Sequence, residues 1–135
     1  MQDIKSICPD SMAAPGGHYS HATVVDGWVF VSGQLPIDPD GRKLVDAPFD
    51  DQARQVLANL QSVLQACGAS AQDLVQVRVY VTDIADWPAF NAIYAQWLPD
   101  HRPARAVVPV PVLHYGLKIE VEAVARLGTN GTTGS

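Results

Sequence analysis

Asp50-Asp51-Gln52-Ala53-Arg54-Gln55-Val56-Leu57-Ala58-Asn59-Leu60-Gln61-Ser62-Val63-Leu64-Gln65-Ala66-Cys67 is the stretch whose reading decides the fold. Ala53, Val56, Leu57, Leu60, Val63, Leu64 and Cys67 recur at spacings of three and four, the pattern of a helix with one buried stripe. Gly68 stops it. Asp50 and Asp51 suit the positive end of the helix dipole, and either can supply the N-cap. Such a helix needs a surface to cover. After a turn at Ser70–Asp73, Leu74-Val75-Gln76-Val77-Arg78-Val79-Tyr80-Val81 alternates with period two, so a strand is expected with Val75, Val77, Val79 and Val81 facing the helix.

The same pairing of helix and strand extends outward. Tyr19–Val25 and Trp28–Ser32 flank Asp26-Gly27, a strong two-residue hairpin signal, and Gly33 ends the second of these strands. Residues 9–17 are too rich in Pro, Gly and small residues for a regular element. Pro36, Pro39, Asp40-Gly41 and Pro48 mark a loop with a short extended piece at Lys43–Val45. A second helix begins at Asp86 with Trp87-Pro88, carries Phe90, Ile93, Tyr94 and Trp97 on one stripe, and closes at Pro99. Two further strands follow, Ala104–Val110 and Leu117–Ala125. Pro109 and Pro111 cannot donate to a ladder, so the first of them ends at a sheet edge or where a subunit or ligand approaches. The order is β-β-α-β-α-β-β, an α+β class with two helices on one face of a mixed or antiparallel sheet. The opposite face then needs cover of its own.

Length and composition agree with one domain over 1–127, with 128–135 read as a disordered tail. Hydrophobic residues make up 47% against 17% charged, which points to apolar surface buried between subunits. The net charge of −5 and the lack of any Lys/Arg cluster disfavour a nucleic-acid partner. No apolar run reaches signal or membrane-span length, and Cys8 and Cys67 lack metal-like spacing, so a cytoplasmic protein with reduced thiols and no membrane partner is expected. His18, His21, His101 and His114 are too scattered for a metal motif, and no glycine-rich phosphate loop offers a nucleotide a seat. No metal and no cofactor is expected.

Two charged residues stand out. Arg105, in Arg102-Pro103-Ala104-Arg105, would hold a guanidinium at a strand mouth, suited to gripping a carboxylate bidentately or to a salt bridge. In Leu117–Ala123, Leu117, Ile119, Val121 and Ala123 share one face, and Lys118, Glu120 and Glu122 the other. An acid there can serve as a base or stay solvated, and periodicity does not separate Glu120 from Glu122. Tyr19 is placed to close over a ligand or pack at the sheet rim. Ser32 lies at a strand end without the surroundings of a nucleophile.

Six segments, taken together and in order, resemble the reactive-intermediate deaminase (RidA-like, YjgF/YER057c/UK114) family. They are Gly17–Ala22, Phe30–Pro36, Gln52–Leu60, Val79–Asp83, Arg102–Arg105 and Ile119–Ala123. The resemblance implies a chorismate-mutase-like fold assembled as a homotrimer, with a central barrel of sheets and clefts between subunits. It also implies cofactor-independent hydrolysis of enamine and imine intermediates, such as 2-aminoacrylate and related 2-imino acids, to 2-keto acids and ammonia. Carried over residue by residue, Arg105 clamps the substrate carboxylate and Glu120 positions or activates water. Tyr19, Ser32, Gly33 and Val107 line the cleft, Val107 through its backbone. The family often has Gly-Pro-Tyr-Ser-Gln where this chain has Gly17-His18-Tyr19-Ser20-His21, and Cys where Val107 stands. These departures bear on substrate preference more than on reaction class. The alternative is a metabolite-binding or regulatory module that holds 2-keto acids in the same cleft without turnover. A ribonuclease activity is disfavoured by the acidic charge.

Overall fold

Asp26 (φ 53°) and Gly27 (φ 80°) both adopt left-handed backbone, the geometry of a tight hairpin turn, and so join β2 (Ala22–Val25) to β3 (Trp28–Gln34). The computed structural model describes residues 3–128; from residue 129 onward the expected tail lies outside the described residues. The remaining elements are β1 (Lys5–Ile7), α1 (Phe49–Ala66), β4 (Leu74–Val81), α2 (Trp87–Trp97), β5 (Ala104–Pro109) and β6 (Ile119–Arg126), with single 3₁₀ turns at Ala71–Asp73, Ile84–Asp86 and His114–Gly116. The strand order is β1-β2-β3-β6-β4-β5, antiparallel throughout except for the parallel pair β4 and β5.

α1 packs its stripe on the sheet: Ala53, Val56, Leu60, Val63 and Leu64 have no solvent exposure. They meet Val29, Val77, Val79, Ile119, Val121 and Ala125 in one apolar cluster. Two polar residues on the same helix are buried as well, and each ties the helix to a loop. Gln52 donates from Nε2 to the Ala47 carbonyl (3.1 Å) and accepts from the Lys118 amide (2.9 Å). Asn59 donates from Nδ2 to the carbonyls of Leu35 (3.0 Å) and Ile37 (2.9 Å). Because both amides are hydrogen-bonded, their burial costs little; Asn59 fixes the 35–37 loop against α1, and Gln52 fixes Ala47 and Lys118.

Several expectations are corrected. β1 is a sixth strand, at the edge, in a segment too short for its alternation to show. β2 begins at Ala22, so Tyr19 lies outside it. The N-cap of α1 is Pro48, with Asp50 and Asp51 in the first turn. Val75 points outward with 42% exposure; a bulge between Leu74 and Gln76 opposite β6 makes Leu74, not Val75, the inward residue. β3 runs past Gly33 to Gln34 through a second bulge, with Val31 opposite Ala123 and Gln34 opposite Val121. β5 is the sheet edge that its prolines require.

Candidate functional site

The second bulge shapes the candidate site. Ser32 and Gly33 together oppose the single position Glu122 on β6, and the side chain of Glu120 lies over Gly33. A Cβ built on Gly33 would sit 2.5 Å from Glu120 Oε2 and 3.0 Å from its Cδ. The bulge is held from behind. The Ser32 amide donates to the His21 carbonyl (2.9 Å) and the Ser32 hydroxyl donates to the Ser20 carbonyl (2.7 Å). Gln34 Nε2 donates to the Ser32 carbonyl (3.1 Å) and to Nδ1 of buried His21 (3.3 Å), whose Nε2 donates to the Ala13 carbonyl (2.9 Å). The Ser32 hydroxyl thus serves the loop, and His21 belongs to the support of the bulge while His18 is exposed.

In front of the bulge lies an open cleft of about 510 Å³, lined by Gly16, Tyr19, Ser32, Gly33, Tyr115 and Glu120 among others. Burial raises the Glu120 carboxyl above its ordinary value; nearby His114 works against this and Glu122 adds to it. Glu122 is otherwise engaged, accepting from Arg78 (3.2 Å) and from the Tyr80 hydroxyl (3.0 Å). Glu120 has no hydrogen-bond or ion-pair partner among the described residues. Half-buried, unpaired and raised by burial above the ordinary carboxylate range, it can orient a water and take its proton. His114 and Tyr115, which sequence reasoning left in a loop, also line this cleft. Tyr115 is one of two non-glycine residues in left-handed backbone among the described residues (φ 63°), and Lys43 sits 4.7 Å above its ring. A β-turn-like segment with no alternation offered no signal for either.

Since its folded-state carboxyl titrates above the unfolded value, Glu120 is accommodated best when neutral. Stability is retained at low pH and is lost as pH rises from the ordinary carboxylate value through the raised one. Glu120→Gln is therefore expected to melt higher than the parent at neutral pH, with the difference vanishing in acid. Thermal unfolding from pH 4 to 8 checks this, and a lower melting temperature at neutral pH would refute it.

Arg105 lies elsewhere. β4 separates β5 from β6, so Arg105 and Glu120 are not on neighbouring strands. Arg105 is in register with inward-facing Val77, Glu120 with outward-facing Tyr80, and the two side chains leave opposite faces of the sheet. The guanidinium stacks on α2, 4.9 Å from the Tyr94 ring centre and 5.9 Å from that of Phe90. This is a rigid seat for a cation without a carboxylate partner. It opens on a hollow of about 440 Å³. Val107 also faces the helix side, packed partly against the core. Tyr19, Ser32, Gly33 and Glu120 are thus brought together, and Arg105 and Val107 are not joined to them within one chain. Among the described residues no group of three or more His, Cys, Asp or Glu is placed to hold a metal ion.

A family model described as Endoribonuclease L-PSP matches residues 10–127. Protein HMF1 of Saccharomyces cerevisiae is 40% identical over 119 residues, covering 88% of this chain and 91% of that protein. The human 2-iminobutanoate/2-iminopropanoate deaminase is 39% identical over 117 residues, 85% of each. The crystal structure of Escherichia coli TdcF with bound serine superposes with a TM-score of 0.85 at 32% identity, covering 90% of this chain and 98% of that one. Matched along nearly its whole length in sequence and in fold, the chain belongs to the Endoribonuclease L-PSP family, the YjgF/RidA proteins.

Proposed function

We propose that this chain hydrolyses reactive 2-imino acids and their enamine tautomers to 2-keto acids and ammonia, without a cofactor. The observation that carries the reading is the unpaired, half-buried Glu120 carboxyl lying on Gly33 over an open cleft. Water adds its oxygen to C2 while the C=N electron pair moves to nitrogen. Glu120 takes the proton lost by that water and passes it to nitrogen; it then relays the hydroxyl proton of the resulting carbinolamine to the same nitrogen as the C–N bond breaks, so that ammonia leaves and C2=O remains. Arg105 holds the substrate carboxylate, the Val107 carbonyl accepts from the imine nitrogen, and Tyr19, Ser32 and Gly33 wall the cleft.

One substrate meets both Arg105 and Glu120 only if two copies of the chain meet. The reading therefore includes a homotrimer, with sheets forming a central barrel and the site in the cleft between subunits. Two features support it: β5, which carries Arg105, is an open edge, and Phe30 on the outer sheet face is 46% exposed. A cytoplasmic setting fits the free cysteines Cys8 and Cys67; no helix among the described residues is long and apolar enough to cross a membrane. The net charge of −5 speaks against RNA as substrate.

The test generates imines in situ with an amino-acid oxidase and follows ammonia release, beside calorimetry with 2-keto acids. Accelerated release supports deamination. Binding of keto acids with no acceleration would replace it with the metabolite-binding module, a role to which the serine-bound TdcF structure also lends itself.

A further inference from the structure

The hollow beside Arg105 has a one-sided charge. Its lining comprises Asn91, Tyr94, Ala95 and Leu98 from the end of α2, and Pro99, His101, Arg102, Pro103 and Arg105 from the segment leading into β5. Arg105 and the exposed Arg102 both line it and no carboxylate residue does, in a chain whose net charge is −5. Neither arginine has an ion-pair partner among the described residues, whereas Arg42, Arg54 and Arg78 are paired. Asp100 sits in the same segment but is exposed, does not line the hollow and bridges neither arginine.

The polar groups around the two cations are donors or spent. His101 uses Nε2 on the Leu74 carbonyl (2.7 Å). Tyr94, only 7% exposed, has a buried hydroxyl with no partner. Asn91 adds an amide. Arg105 is immobilised by its aromatic seat, which leaves its fork aimed rather than searching. A single carboxylate occupies one such fork. The second fork then remains unmatched.

We propose that this hollow is built for a dianion: the imino acids taken by this chain carry a second carboxylate on the side chain, and Arg102 receives it while Arg105 holds the first. Substrates of this class are imines of acidic amino acids, and their products are 2-keto dicarboxylates. The catalytic part of the inference rests on the imine-hydrolysis reading; the dianion site rests on the hollow alone.

The experiment compares two imines generated in situ by flavin oxidases, the imine of D-aspartate and that of D-alanine, with catalase present to remove peroxide. Ammonia release gives kcat/KM for each. In parallel, calorimetry measures oxaloacetate and pyruvate binding. Wild type is expected to favour the dicarboxylic imine, and Arg102→Gln to lower the ratio of the two kcat/KM values about tenfold or more, as loss of a charge-assisted contact requires. Arg102→Lys, keeping charge without the fork, should fall between. Oxaloacetate should bind more tightly than pyruvate in an Arg102-dependent way. If both imines are hydrolysed and the ratio does not move in Arg102→Gln, the dianion site is overturned while deamination stands. If neither imine is hydrolysed, deamination fails, and binding alone decides: Arg102-dependent preference for oxaloacetate upholds the site, and equal binding refutes it. A lowered melting temperature with an unmoved ratio would mean that Arg102 only offsets the negative end of α2, and would also refute it.

Discussion

Replacing Arg105 with alanine is expected to lower kcat/KM for imine hydrolysis about 10³-fold, the largest effect of any single substitution here. A bidentate guanidinium–carboxylate grip comprises two charge-assisted hydrogen bonds of about 1.5–3 kcal/mol each. On the proposed mechanism, losing the grip also frees the substrate to drift from the water aligned by Glu120. The fold should tolerate the change. Arg105 is half-buried at an edge strand, and its stacking on Tyr94 at 4.9 Å contributes roughly 0.5–2 kcal/mol. Arg105→Lys keeps the charge but loses both the fork and the stack, so it should recover little of the activity. Ammonia release from in situ imines, read beside thermal melting, separates the two effects. Equal turnover by parent and variant would remove Arg105 from the mechanism, and a collapse of melting temperature would turn its role into a structural one.

The sequence made the regular parts of this fold legible because each is encoded locally. The three-and-four spacing from Ala53 to Cys67 places α1 within a residue of its observed bounds at both ends. Asp26-Gly27 marks a turn whose left-handed angles few other residue pairs adopt so readily. What local pattern does not encode is how strands meet. Val75 belongs to an unbroken alternation yet faces out, because a bulge against β6 shifts the register there. Strand order is equally silent: Arg105 and Glu120 are fifteen positions apart in sequence but lie on β5 and β6, with β4 between them.

The same limit governs the candidate site. Glu120 and Glu122 share a face and a strand, and periodicity treats them alike. Their difference lies in cross-strand partners. Glu122 faces Arg78 on β4 and takes both its charge and the Tyr80 hydroxyl, whereas Glu120, in register with Tyr80, lays its carboxylate over the bulge glycine Gly33 and is left unpaired. The acid free to do chemistry is the one whose neighbour has no side chain.

That neighbour sets the second large expectation. In Gly33→Ala the new Cβ would stand 2.5 Å from Glu120 Oε2, 3.0 Å from Cδ and 3.4 Å from Cγ, so the carboxylate must swing away. Gly33 is not among the positive-φ glycines, so alanine meets no backbone strain there. The displaced group is the end of a flexible side chain. The stability cost is therefore small, and the reduced freedom of the unfolded chain offsets it by about 0.4–1 kcal/mol. Catalysis has no such tolerance: a carboxylate moved by an ångström or more should reduce kcat about 10²-fold. KM should change little, since Arg105 and its seat on α2 are on the other face of the sheet. The decisive measurement is a double-mutant cycle. If Gly33 acts through Glu120, adding Gly33→Ala to Glu120→Ala should lower kcat no further, giving a large coupling between the two sites. A full additional loss in that background would mean that the bulge itself, through the Ser32 and Gly33 backbone, carries the catalytic contribution instead.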